Sequence, residues 1–98
     1  MAFIQIIELH TSDIATVTKM GEEWEHATEG RRSAQRSVVV QDRNDPTRHL
    51  NIVFFDSYED AMKNSNLPET QAFAEQLAAA VDGPIVFHDL DVIEDRVG

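Results

Sequence analysis

Four histidines, His10, His26, His49 and His88, are the side chains of this chain best suited to move a proton near neutral pH. No two of them stand at the close helical spacing that presents a metal between adjacent turns. There is no cysteine, so thiolate metal sites, disulfides and a thiol nucleophile are excluded. Acid–base chemistry is the use that this pattern leaves. An imidazole beside a guanidinium suits removal of a weakly acidic proton: the ring accepts it, and the cation holds the anion that forms. Trp24, the lone tryptophan, has the flat apolar face that would wall a pocket and stack on an aromatic ligand.

The elements that must position these groups are legible along the chain. Phe3 to Leu9 is β-branched and apolar at nearly every position and reads as a strand. Thr11-Ser12-Asp13 offers capping oxygens for a helix whose apolar stripe is Ile14, Val17, Met20 and Trp24, and Gly30 stops it. Ala34 to Asp42 is a second strand, Asn44-Asp45-Pro46-Thr47 a turn, and Leu50 to Phe55 a third strand. Ser57-Tyr58-Glu59-Asp60 opens a short helix through Met62 that ends near Asn64-Ser65. Asn66 is placed to cap the next helix, with Pro68 in its first turn and Glu69 reaching back. Phe73, Leu77 and Val81 form that helix's buried stripe, Asp82-Gly83-Pro84 ends it, and Ile85 to Ile93 is a fourth strand.

Ninety-eight residues make one domain, spanning 1–98. Eighteen acidic against eight basic residues give a net charge of −10, which argues against a nucleic-acid backbone or an anionic membrane as partner. The apolar start of the chain is broken by Gln5 and Glu8 and lacks a basic flank, so it reads as a strand and not a signal peptide. No apolar run has the length of a membrane helix, and a cytoplasmic location is expected.

The order β-α-β-β-α-α-β predicts an α+β fold with helices on one face of a four-stranded antiparallel sheet. Such a sheet should alternate apolar and polar residues if its second face met water. It does not. Ile4 and Ile6 oppose Phe3, Ile7 and Leu9, while Ile52 and Phe54 oppose Val53 and Phe55. The second face needs a cover that one chain cannot supply, and a second copy of the sheet is the simplest, so a homodimer is expected.

This pattern resembles the dimeric α/β-barrel superfamily of ferredoxin-like domains, in its antibiotic biosynthesis monooxygenase-like branch. The resemblance is carried by Phe54-Phe55-Asp56-Ser57-Tyr58-Glu59-Asp60-Ala61 and by Asn64 to Ala74 leading into Gly83-Pro84. It implies a pocket between sheet and helices. It also implies one of several activities, among them cofactor-free oxidation of polycyclic phenols or quinols and haem degradation. The haem-degrading members rely on an Asn on the first strand and on a Trp and a His in the second helical region. Here the first strand offers Gln5, and Ser57 to Val81 holds neither Trp nor His. No cofactor and no metal are therefore expected.

With the strands in ferredoxin-like order 4-1-3-2, His10, His88 and Arg36 fall toward one end of the sheet. His88 is then the candidate proton acceptor, Arg36 holds the anion, and His10 completes the cluster. The plainer reading makes His10 a solvated strand end and His88 a satisfied strand residue. Trp24 and Asn64 are the candidate ligand-binding residues, against a core tryptophan and a helix-breaking asparagine. Asp89, Asp91, Glu94 and Asp95 are too loosely spaced for a calcium loop and read as a solvated edge. The function that the resemblance and these residues lead one to expect is a cofactor-independent monooxygenase or related enzyme acting on a small aromatic substrate of phenol or quinol type. The alternative is a non-catalytic dimeric module that binds a small apolar ligand or serves a structural role.

Overall fold

The structure, a computed structural model, describes residues 2–98; residue 1 of the expected domain lies outside them. Its elements are β1 (Phe3–His10), α1 (Ile14–Ala27), β2 (Arg36–Asp42), β3 (Asp45–Phe55), α2 (Tyr58–Ser65), α3 (Pro68–Ala80) and β4 (Val86–Asp91). The strands form one antiparallel sheet in the order β2-β3-β1-β4. This is the ferredoxin-like α+β arrangement, with β2 and β4 as the two edges.

Register assigns the faces. Phe3 pairs with Phe55, Gln5 with Val53, Ile7 with Asn51 and Leu9 with His49, so these eight side chains share the inner face toward the helices. Ser37, Val39 and Gln41 of β2 join them, since they sit opposite Val53, Asn51 and His49. One end of the inner face is closed tightly. Phe3, Val53, Phe55 and Ala61 form a buried cluster, and Tyr58 meets the Phe3 ring edge-on at 5.4 Å. α2 is held against this end by Ser57, whose hydroxyl caps Asp60 N–H.

α1 begins as expected, with Asp13 accepting from Thr16 N–H. Its apolar stripe behaves differently from the expectation. No residue of α1 is fully buried, and Trp24 is only half-buried. The helix packs beside α3 and stands off the sheet, leaving space between its stripe and the inner face. α3 instead sends Leu77 into the interior at 3% exposure.

Three local expectations are corrected. The proposed turn at Asn44–Thr47 is shorter, because β3 already starts at Asp45. Pro46 is tolerated there because the β2–β3 register shifts between Gln41 and Asp42, and a proline near a strand's start at such an irregularity costs no ladder bond. Asn66 caps the end of α2 and not the start of α3. The residue before α3 is Leu67, without a side-chain cap, and Glu69 pairs with Arg31 instead of reaching back. The fourth strand is trimmed from Ile85–Ile93 to Val86–Asp91.

The outer face is apolar and uncovered by the chain's own helices. Val40, Val86 and Leu90 are 37%, 44% and 45% exposed on it, values that would be ordinary for polar side chains.

Candidate functional site

Between the inner sheet face and helices α1 and α3 lies a cavity of about 350 Å³. That is within the range of small-molecule pockets. Its floor is Ile7, Leu9, Val39 and Val53, and its roof is Ile14, Val17, Trp24, Phe73 and Leu77. The apolar lining exists because α1 turns its stripe, Ile14, Val17 and Trp24, toward the inner face of the sheet.

Into this apolar chamber the central strands project polar groups. Ser37 donates its hydroxyl hydrogen to Asn51 Oδ1 at 2.7 Å, across β2 and β3. Gln5 is turned aside and donates to Asp89 Oδ1 at 3.2 Å. Asn64, at the end of α2, is 7% exposed, and its carboxamide oxygen is buried with no hydrogen-bond partner among the described residues. A buried carbonyl left unmatched costs about 1–3 kcal/mol. Asn64 borders the cavity, and this oxygen lies closed off beneath its surface.

Trp24 is fixed from three sides. Its indole N–H donates to Thr70 Oγ1 at 2.9 Å, Phe73 lies against it with ring centroids 6.1 Å apart, and the Arg32 guanidinium sits 5.8 Å over the ring. Arg32 in turn donates to the Glu25 carbonyl at 2.6 Å. The wall that Trp24 makes is thus rigid. Both expected ligand-binding residues, Trp24 and Asn64, border the cavity.

The expected catalytic cluster of His88, Arg36 and His10 is not formed. Their strand positions turn all three side chains to the outer face, on the side of the sheet away from the cavity. Arg36 and His88 stand on opposite edge strands, three strand spacings or about 14 Å apart. Each has a partner of its own. Arg36 lies 5.4 Å over the Phe54 ring, and His10 Nδ1 is 3.3 Å from Thr47 Oγ1 and 3.9 Å from Asp45. His88 Nε2 meets Glu8 Oε1 at 3.1 Å. Glu8 also accepts from Arg48 at 3.2 Å, and Arg48 donates to Asp42 at 3.2 Å. The hydrogen bond from His88, then that from Arg48, holds the Glu8 carboxyl below the usual glutamate range.

His49 is the histidine that the structure brings to the cavity. It is 3% exposed, with Nδ1 3.0 Å from the Thr47 carbonyl and Nε2 3.2 Å from Gln41 Oε1. Reading β3 from Leu50 left His49 outside the strand. Continuing the two-residue alternation backward from Val53 through Asn51 would have put it on the helix side.

No group of three or more His, Asp or Glu side chains suited to a metal occurs among the described residues. No helix among them is long and apolar enough to cross a membrane.

No family model matches the chain, and no curated protein matches it in sequence. Its fold, by contrast, recurs among solved structures. SnoaB of Streptomyces nogalater, a cofactor-independent oxygenase, superposes with a TM-score of 0.80 over 96% of this chain and 95% of its own, at 8% identity. An antibiotic biosynthesis monooxygenase superposes with a TM-score of 0.73 over 96% and 100%, at 12% identity. Rv0793 of Mycobacterium tuberculosis does so at 0.79 over 99% and 100%, at 7% identity. The chain therefore has the ferredoxin-like fold of the antibiotic biosynthesis monooxygenase structures.

Proposed function

We propose that the protein is a cofactor-independent monooxygenase, working as a cytoplasmic homodimer on a small aromatic substrate of phenol or quinol type. The observation that carries this reading is the largely apolar cavity between sheet and helices, with polar groups on its sheet floor. A flat aromatic body fills the apolar part and lies along Trp24. A hydroxyl on its rim meets the Asn51 N–H groups, whose oxygen is already held by Ser37, and they stabilise the oxyanion that forms. The likeness to SnoaB adds support, since that protein is a cofactor-independent oxygenase of the same fold.

The chemistry needs no external reductant. A phenol with a free ring position loses its O–H proton, and the electron-rich phenolate delivers electrons to oxygen. One oxygen atom stays on the ring carbon as a carbonyl, and the other leaves as water with the phenolic and ring hydrogens. The protein's part is to bind, orient and deprotonate.

The dimer rests on the outer face. Besides its apolar strands, that face presents two cations, Arg36 and Arg48, and three anions, Glu8, Asp42 and Asp45. It is close to neutral on a chain of charge −10, so it is the side on which a second, equally acidic copy can approach.

A second reading has one observation in its favour: the polar groups deepest in the cavity are mostly carboxamides and hydroxyls, which bind without reacting. A non-catalytic module holding a small apolar ligand would look the same. Oxygen-electrode assays on a panel of phenols, naphthols and hydroquinones separate the two. Consumption of oxygen with saturable dependence on substrate supports the oxygenase. Saturable binding with no oxygen uptake for any of them rejects it in favour of the binding module.

A further inference from the structure

We infer that His49 is the proton acceptor of the cavity and that Gln41 is the side chain that responds to its change of charge. The inference deepens the oxygenase reading and rests on it. The first argument is elimination. The ionisable residues that border the cavity are Glu22, Glu25, Arg32, Arg36 and His49. Glu22 and Glu25 are exposed on α1 at the rim, Arg32 is committed to the Glu25 carbonyl and the Trp24 ring, and the Arg36 guanidinium lies over Phe54 on the outer face. His49 is the one that is both buried and of a type that exchanges protons near neutral pH.

The second argument is the hydrogen-bonding of the ring. Thr47 offers a carbonyl, an obligate acceptor, so Nδ1 carries a hydrogen and the neutral ring keeps its lone pair on Nε2. Nε2 faces the Gln41 carboxamide at 3.2 Å. In the neutral state that carboxamide presents its NH2 to the lone pair. Once Nε2 is protonated, a half-turn presents the oxygen, and both ring hydrogens then have acceptors. The two orientations have the same outline and exchange without moving the backbone. Around His49, β1 contributes Leu9, β2 contributes Gln41, and the smaller pocket is lined by Thr11, Ser12, Ile14 and Pro46. The charged and titratable groups on these elements are already engaged: Asp45 and His10 on Thr47, Asp42 on Arg48 and Asp13 on Thr16, while Glu22, Glu25 and Arg32 stand at the cavity rim.

In the step itself the substrate hydroxyl takes the place of the exposed Gln41 NH2 on Nε2; its O–H bond breaks and a bond from its hydrogen to Nε2 forms, leaving phenolate and imidazolium. The phenolate carbon then bonds to O2, and the resulting peroxide anion takes the proton back from Nε2. Loss of the ring hydrogen and cleavage of the O–O bond release water and leave the carbonyl. His49 ends as it began, and O2 is the oxidant.

The test is the pH profile of kcat for oxidation of 1-naphthol or the best substrate of the panel, in wild type, His49→Gln and Gln41→Glu, with Trp24 fluorescence reporting binding. His49→Gln is expected to bind with little change while kcat falls about 10²–10⁴-fold and its acid limb disappears. Gln41→Glu places a carboxylate on Nε2, favours the charged ring, and moves the acid limb to higher pH. That second variant decides the matter if His49→Gln does not fold. A folded His49→Gln with wild-type kcat, or a Gln41→Glu profile that does not move, overturns the assignment of His49 and leaves the oxygenase reading intact. A wild type inactive on the whole panel overturns both.

Discussion

The Ser37 hydroxyl holds the oxygen of the Asn51 carboxamide at 2.7 Å, so that Asn51 faces the cavity with its two N–H donors uncommitted. The two residues are diagonal neighbours on adjacent strands, which lets one short side chain fix the orientation of the other. Ser37→Ala is expected to weaken binding of a phenolate-type ligand severalfold while leaving thermal stability nearly unchanged, because Ser37 lies on an exposed edge strand. Isothermal titration with a nitrophenol beside a melting curve measures both. A loss of stability without a loss of affinity would assign the pair to the fold alone.

Occupancy of the cavity has a built-in reporter. Trp24 is the only tryptophan and one wall of the chamber. An aromatic ligand should quench its fluorescence along a saturable curve. Quenching that rises linearly without saturation would place the ligand elsewhere.

Light scattering at micromolar concentration is expected to give twice the 11.1 kDa chain mass. Replacing Leu90, which is 45% exposed on the outer face, with Lys should shift the population toward monomer. A wild type that runs as a clean monomer contradicts the pairing of sheet faces.

Leu77→Ala is expected to destabilise the fold by about 2–3 kcal/mol, the lower part of the range for buried leucines, because one side of Leu77 already borders open space. Denaturant unfolding checks it. A change below about half a kcal/mol would mean that α3 is not anchored through this residue.

Glu8 gives a pH signature. Its carboxyl is held below the ordinary range, chiefly by the hydrogen bond from His88 and then by that from Arg48. A depressed carboxyl adds stability above its unfolded value, and that addition is lost as pH falls through the folded value. Glu8→Gln should therefore differ most from wild type at neutral pH, with the gap narrowing once pH falls below the ordinary glutamate range of about 4.3 and closing below the lower folded value. Melting curves across that window decide it; a gap that widens toward acid would reverse the sign.

Much of the fold was legible in the sequence, and the reasons are local. Phe3–His10 and Val38–Val40 are β-branched runs, Asp13 and Ser57 are caps, and the two-sided apolar strands foretell an outer face that is apolar as well. The site was less legible. Register decides which face a strand residue occupies, and the ambiguity is greatest where both faces are apolar, as in β1 and β4. His88 and Arg36 were joined because both were placed toward the His10 end of the sheet; they do share a face, but they stand on opposite edge strands, and Arg36 is level with Ile4, at the far end from His10. His49 was passed over because Pro46 suggested a turn where an irregular β3 already runs. Trp24 and Asn64 do border the cavity: the helical spacing of Ile14, Val17 and Met20 gives Trp24 its side of α1, and Asn64 is marked in the sequence only as the end of a short helix. The cavity itself has no sequence signal. It arises because α1 leans on α3 and away from the sheet, a relation between elements and not a property of any one of them.

The most direct measurement is oxygen labelling of the product. Metal-free protein, dialysed against chelator, is given the best naphthol or hydroquinone of the panel under 18O2, and product and water are analysed by mass spectrometry. The account expects one labelled oxygen in the product and one in water for each substrate consumed, with no flavin, haem or metal added. Product without label, product carrying both labelled atoms, or turnover that appears only when a metal or flavin is restored would contradict it.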